Sequence, residues 1–190
     1  MGVLAMSTLI LSGCGYNQMH SDDEDVKMNW SEVLNQYQHR TDLVSALINL
    51  VKSEPKFEPE TLARLVEAHK NIQSIQATPK LINDPKFLFK FQQAQGRLNL
   101  ALSGLFIASQ GYNNLRANTD FIQIQTQLKD AENQITVARD RYIKSMQQYN
   151  STINTFPNNL IAWLLGYQTR PNIMFNNELD IPEPPLKSFW

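Results

Sequence analysis

The sequence is poor in several residue types, and each shortage excludes a class of protein. A single cysteine among 190 residues excludes an intrachain disulfide framework and any zinc or iron–sulfur site built from several cysteines. Lysine and arginine number 17 against 18 aspartates and glutamates, so no excess of positive charge favours nucleic acid as a partner. The hydrophobic fraction of 42% is sufficient for the core of one ordinary domain.

Residues with catalytic or metal-binding chemistry are also scarce. The histidines, His20, His39 and His69, fall in different parts of the chain, and neither a Glu-x-x-His pair nor an H-E-x-x-H motif occurs. The seven glycines form neither a P-loop nor a G-x-G-x-x-G motif, and no G-x-S-x-G sequence offers a nucleophilic serine. The sequence therefore predicts no metal, no cofactor and no enzymatic activity.

The N-terminus resembles the signal peptide of a bacterial lipoprotein. Residues 1–13 carry no charge and are mostly apolar or small, and Leu-Ser-Gly leads directly to Cys14 in the manner of a lipobox. This run is too short for a bilayer span, which needs about 20 residues, but it suits a signal-peptide core. We expect residues 1–13 to be a signal peptide, the Cys14 thiol to carry a diacylglyceryl group, and residues 14–21 to link this anchor to a folded domain.

Two details bear on this interpretation. No lysine or arginine precedes Cys14, whereas a signal peptide normally opens with a positive segment. Gly15, rather than aspartate, follows the cysteine, which resembles the class of lipoproteins sorted to the outer membrane. The alternative is an incidental buried cysteine behind an apolar tip. A lipid at Cys14 would leave the chain without a cysteine nucleophile.

Helical periodicity dominates the rest of the chain. A proline-free stretch begins with Asp22 and Asp23, which lie where an N-cap belongs, and it ends near Ser53, before Pro55. Within it, residues at alternating steps of four and three define one helical face. These residues are Val26, Trp30, Val33, Tyr37, Arg40, Val44, Leu47 and Val51.

Three further helices and a short one are predicted by the same reasoning. One starts at Pro59 and breaks before Pro79, and the next starts at Pro85 and stops near Gly111. Asn118 or Thr119 caps the longest, whose apolar face runs from Phe121 to Thr152 over about 35 residues, or roughly 50 Å. A short apolar element, residues 160–165, ends at Gly166.

The helices predict an all-α fold. Their 3.5-residue period favours an elongated antiparallel bundle of about four long helices, followed by the short helix, and no strand-like alternation competes with it. We assign residues 22–166 to this bundle. Residues 167–190 contain Pro171, Pro182, Pro184 and Pro185 and are predicted to form an extended tail.

A specific motif, QYQ-x-R-x-DL, occupies residues 36–43. Shorter segments typical of one protein family precede and follow this motif, in the order in which that family has them, along nearly all of the mature chain. They comprise 14–17, Trp30, Asn35, 47–52, 115–118, Phe121, 132–133, 138–139, Tyr142, 149–150, 156–157 and 166–167. On these residues the sequence resembles the LemA family.

The resemblance implies an N-terminal membrane anchor and an exported bundle of long helices, with a function that is undefined for most members. The chain departs from the family pattern at three places. Ser45 and Ala46 stand where Pro-Asn is usual, Gly111 stands where glutamate usually precedes Tyr-Pro, and Ile143 follows Tyr142 where Tyr-Asn is usual.

One charged residue lies on the predicted apolar face of the first long helix. Arg40 there needs a carboxylate, because an unpaired buried guanidinium is costly. Glu132 in the last long helix is the first candidate partner, and Asp42 is the local alternative. The pair then fixes the register of the helices. In a second interpretation, Arg40, Glu132 and Arg139 form a polar groove for a ligand or partner.

The short C-terminal helix has an apolar patch with few charges nearby. Such a patch most often closes the end of a bundle, but exposed clusters of this size also mark membrane or partner contacts. The candidate contact residues are Leu160, Ile161, Trp163 and Leu164.

These observations favour a membrane-anchored, non-catalytic bundle of the bacterial envelope, on the periplasmic face of the outer membrane if the host has two membranes. It would act as a scaffold or interaction module for a protein partner, and homo-oligomerisation stays open. The alternative is a ligand-binding or sensory bundle that uses the region of Arg40 and Glu132. A deep polar pocket between helices would favour the sensor, and a solid apolar contact face would favour the scaffold.

Overall fold

Helices make up most of the part of the chain that the structure describes, and no strand occurs in that part. In this computed structural model, residues 2–75, 78 and 84–170 are described, the side chains of residues 2–14 and 85 excepted. The elements are α1 (Gly2–Lys52), α2 (Pro59–Ser74), α3 (Pro85–Ser109), α4 (Asn113–Arg116), α5 (Thr119–Asn154) and α6 (Asn158–Leu165). The long helices α1 and α5 pack against each other, so the prediction of an all-α helical bundle is confirmed.

The described residues fall into two compact units. Of the described residues, the first unit contains 2–33 and 136–170, and the second contains 34–75, 78 and 84–135. Helices α1 and α5 each contribute residues to both units, because they are the longest elements.

The predicted faces of the long helices are the buried ones. All eight residues listed for the first helix are almost completely inaccessible to solvent, Arg40 among them. In the second unit, leucines from α1, α2 and α3 form one apolar core, with Leu47, Leu65, Leu98 and Leu105 fully buried. The heptad spacing therefore identifies the packed faces correctly, since the same side chains return to one side every two turns.

Local sequence signals set several helix ends. The Asp84 carboxylate caps α3 by accepting hydrogen bonds from the backbone N–H groups of Lys86 (2.9 Å) and Phe87 (3.1 Å). The Asn118 side chain accepts from Phe121 N (3.1 Å) at the start of α5. Gly166 ends α6 in the left-handed conformation (φ 76°), which an L-residue with a side chain rarely adopts.

The predicted start of the first helix was wrong. Helix α1 does not begin at Asp22 but already at Gly2, and residues 14–21, expected to be a linker, are helical. No proline interrupts this stretch, and Met19 extends the buried face by one heptad. Asp22 lies inside the helix, where its carboxylate accepts hydrogen bonds from Gln18 (2.7 Å) and Thr152.

The connection between α3 and α5 contains the single turn α4, which the sequence reasoning missed. Its signal is weak, because the turn is only four residues long and has no side-chain cap. Leu115 is buried and secures the turn to the core of the second unit.

Part of the predicted tail can be compared with the structure. Residues 167–170 lie outside any helix, while residues 171–190 are outside the described residues.

Among the described helices, none is both long enough and apolar enough to cross a membrane.

Candidate functional site

A buried arginine joins three helices of the second unit. Arg40 of α1 is fully inaccessible, and its Nη1 donates to Asn99 Oδ1 of α3 (2.7 Å) and to Glu132 of α5, with which it forms an ion pair. Its Nη2 donates to Gln95 Oε1 of α3. The guanidinium also lies 5.2 Å from the ring centroid of Tyr37.

This geometry suits a clamp that fixes helix register. The guanidinium presents its donors in a rigid, planar arrangement, so its partners on α3 and α5 must lie at fixed positions along their helix axes. Glu132, the partner predicted first, is still partly exposed on its side chain, whereas Arg40 is not. The buried charge therefore depends on one carboxylate that reaches it from the edge of the bundle.

Asp42, the local alternative partner for Arg40, has a contact of its own on α1. Asp42 is exposed and accepts a hydrogen bond from Gln38 Nε2 (2.8 Å), one turn away on its own helix. Arg139 is buried in the first unit. The idea that Arg139 shares a groove with Arg40 stays a prediction.

Helix α6 of the first unit exposes most of its apolar side chains. Of its eight residues, NNLIAWLL, only Ala162 is buried, and Trp163 is 82% exposed. Ile161 is intermediate, whereas three leucines and the preceding Phe156 are exposed. The leucines are Leu160, Leu164 and Leu165. We call Phe156, Leu160, Trp163, Leu164 and Leu165 the α6 patch.

The predicted lipid attachment site is one residue from a direct contact with α6. Gly15 is buried, and a Cβ at this position would collide with the Asn158 side chain and lie 3.7 Å from Ile161 Cδ1. The absence of a side chain thus allows α1 and the first turn of α6 to approach closely. Cys14, whose side chain the structure does not describe, is the neighbouring residue in the sequence.

The segment after α6 returns along the first unit and is fixed by Arg170. The Arg170 backbone N–H donates to the Asn150 side chain (2.9 Å), and the Arg170 carbonyl oxygen accepts from it (3.0 Å). The Arg170 guanidinium pairs with Asp23 and lies 4.9 Å from the ring centroid of Tyr149. The Tyr149 hydroxyl donates to Gln168 O (3.0 Å). These contacts hold α6 at a defined place on the unit, although its own outer face is not packed.

Comparison with known proteins identifies the family. The model of the LemA family matches residues 29–186, most of the chain. The chain belongs to the LemA family. Curated proteins yield no match to the sequence. The match begins after Cys14 and Gly15, so the lipobox assignment rests on the sequence of residues 1–14 and not on the family match.

Within this LemA chain, three features that complete the site were missed by the sequence reasoning. They are the contact of Gly15 with α6, the inclusion of Phe156 in the exposed patch, and the long-range partners of Asp22 and Asp23. The contact of Gly15 and the partners of Asp22 and Asp23 depend on residues far apart in sequence. The only local signal was a glycine beside the lipobox, which also has an interpretation as a sorting residue.

The LemA chain shows no evident metal centre in the described residues. No group of three or more histidine, cysteine, aspartate and glutamate side chains is arranged there to hold an ion. His69 is buried, and its Nε2 lies 3.2 Å from the Thr41 carbonyl oxygen, as expected of a packed residue of the core.

Burial also changes the acidity of tyrosines in the first unit. Tyr142 is fully buried against Trp30, with ring centroids 5.2 Å apart. Desolvation raises the pKa of the Tyr142 hydroxyl well above 10, and the charge of Arg170 opposes this effect only in part. Burial likewise raises the pKa of Tyr149.

The raised pKa of Tyr142 predicts a loss of stability at alkaline pH. Below pH 10 the Tyr142 hydroxyl is protonated in both the folded and the unfolded protein. Above pH 10 it ionises in the unfolded protein only. The free energy of unfolding then falls by about 1.4 kcal/mol per pH unit until the folded tyrosine also ionises. Urea unfolding at several values between pH 9 and pH 11 should show a steeper decline in the wild type than in Tyr142→Phe. Parallel declines would contradict this.

Proposed function

We propose that this LemA protein is a lipid-anchored, non-catalytic interaction module of the bacterial envelope, and that its α6 patch rests on the membrane that holds the lipid. The observation that carries the proposal is the contact between Gly15 and the first turn of α6. A diacylglyceryl group on Cys14 would enter the bilayer one residue from this contact. The apolar patch would then be close to the membrane surface whenever the anchor is inserted.

The chemistry of α6 supports a membrane as the occupant of this patch. Its sequence contains no charged residue, so no ion would have to leave water. Tryptophan is typical of the membrane–water interface, because its ring is apolar and its N–H can remain hydrated. Transfer of a large apolar side chain out of water contributes roughly 1.5–3 kcal/mol, so two or three such residues give a useful second attachment.

A second attachment has a physical purpose. The two acyl chains of a diacylglyceryl group would by themselves give stable anchoring, so retention on the membrane is not what the patch has to supply. An apolar patch beside the lipid would instead restrict the orientation of the first unit on the surface. A fixed orientation is what an interaction module needs if a partner is to find the same face each time.

The alternative, a sensor that uses Arg40 itself, has less support. The guanidinium is fully buried, and its terminal nitrogens already donate to Gln95, Asn99 and Glu132. This arrangement favours a structural role for Arg40.

Cell fractionation combined with vesicle binding tests the proposal. In cells, labelled palmitate should enter the wild type and should be absent from Cys14→Ser, which should shift largely to the soluble fraction. With purified Cys14→Ser protein and vesicles of phosphatidylethanolamine and phosphatidylglycerol, residual binding should weaken by about tenfold or more in the added double variant W163Q/L164Q.

A matched control separates the patch from general hydrophobicity. Leu100 and Ile107 of α3 are also exposed, at 56% and 57%, so L100Q/I107Q removes two comparable side chains elsewhere. Vesicle binding should not change in this variant. Equal palmitate labelling of the wild type and Cys14→Ser would refute the lipid anchor. Equal vesicle binding by the two double variants would refute the role of α6.

A further inference from the structure

The second unit contains a small cavity that the proposed membrane attachment does not use. It has a volume of about 130 Å³, is partly open to solvent, and lies between α1, the end of α2 and the first half of α3. None of its lining residues is charged. They are Leu34, Tyr37, Gln38, Thr41, Ile72, Gln73, Ile75, Phe91 and Gln95.

One wall of the cavity carries a buried donor without an acceptor. Arg40 can only donate, so the oxygen of the Gln95 amide must face it, and the Gln95 nitrogen is turned elsewhere. Gln95 is 1% exposed, and within the described part of the chain its Nε2 has no hydrogen-bond partner. A buried N–H without an acceptor is rare in folded proteins, so this group favours an acceptor from a bound molecule.

Two other polar groups of the wall are already engaged as donors. The Thr41 hydroxyl donates to Tyr37 O (2.9 Å), and the Gln38 amide donates to Asp42 (2.8 Å). The Gln95 nitrogen is therefore a donor in this wall that is available to an incoming oxygen.

The apolar part of the wall sets the shape of an occupant. The rings of Tyr37 and Phe91 meet edge to face with centroids 4.9 Å apart, and Ile72 is buried beside them. An apolar cavity of about 150 Å³ in another protein accepts benzene, so a volume near this size admits a single small ring or its equivalent. The uncharged lining favours a neutral molecule over an ion.

We propose that this cavity binds a small neutral molecule with a flat apolar body and a carbonyl oxygen, which accepts a hydrogen bond from Gln95 Nε2. Such a ligand touches three helices at once. Through the Gln95 amide it is also coupled to the Arg40 clamp, so its binding stabilises the register of the second unit. The proposal does not depend on the anchor at Cys14 or on α6.

Benzamide, with benzene as the matched probe without a carbonyl, tests the site on the full chain. In ¹H–¹⁵N NMR spectra, benzamide should shift the side-chain amide signal of Gln95 in a saturable manner. It should also bind about tenfold more tightly than benzene. Equal affinity for the two probes, or no shift at the solubility limit of benzamide, would overturn the proposal.

Gln95→Glu isolates the donor. One carboxylate oxygen still accepts from Arg40, so the clamp is retained, but the other oxygen replaces the N–H. Benzamide binding should weaken about tenfold or more. Gln73→Glu adds the same charge at an exposed position of the same cavity and should leave affinity within about twofold. If Q95E lowers the Tm, Gln95→Met provides the same test without a charge. Undiminished binding in the folded variant would refute the role of Gln95.

Discussion

Replacing Glu132 with methionine should destabilise the protein by about 3–5 kcal/mol, because it leaves a fully buried guanidinium without its carboxylate. Gln95 and Asn99 would still accept hydrogen bonds from the Arg40 guanidinium, but they carry no charge. Urea unfolding followed by circular dichroism measures the effect.

The reciprocal change, Arg40→Met, should cost less, about 2–3 kcal/mol. It removes the buried charge altogether and leaves a glutamate that can turn to solvent, along with two uncharged oxygens that lose a donor. The double variant should be no less stable than R40M alone, because the second substitution has no ion pair left to break. Additive losses in this double-mutant cycle would show that the two residues do not act as a pair.

The protein contains a buried and an exposed tryptophan in the same unit, and their substitution should have opposite consequences. Trp30→Ala should cost about 3–5 kcal/mol, because the side chain is completely buried against Tyr142 and leaves a cavity. Trp163→Ala should change stability by less than about 0.5 kcal/mol, because the ring is 82% exposed.

Thermal or urea unfolding of both variants checks this contrast, and vesicle binding completes it. Trp163→Ala should lose membrane affinity while keeping its stability, which a core residue cannot do. A stability loss above about 2 kcal/mol for Trp163→Ala would mean that α6 closes the bundle end as part of the core.

Much of the fold could be predicted because the helix ends and the buried faces depend mainly on residues within each helix. Prolines at positions 59 and 85 mark two starts, Gly166 marks a stop, and steps of three and four residues mark the buried faces. Arg40 was recognisable for the same reason, since a charge on a buried face needs a partner. Glu132 was the partner predicted first, and the structure pairs the two.

The misinterpreted features depend on contacts that no local pattern encodes. Asp22 and Asp23 have the sequence appearance of an N-cap, yet they lie within α1 and bind Thr152 and Arg170, more than a hundred residues away. No sequence signal distinguishes Gln95, because glutamine is common on helix surfaces. Only the packed structure shows that its nitrogen is buried without an acceptor in the described chain and that Gln95 lines a cavity.

A photo-crosslinking amino acid at position 163 of the full-length protein in living cells tests the membrane attachment most directly. The same amino acid at position 28 is the control, because Met28 is 63% exposed and belongs to the same unit. If α6 rests on the bilayer, mass spectrometry should find phospholipid adducts at position 163 and few or none at position 28. Adducts at position 163 to a second copy or another protein, with no lipid adducts, would contradict the account.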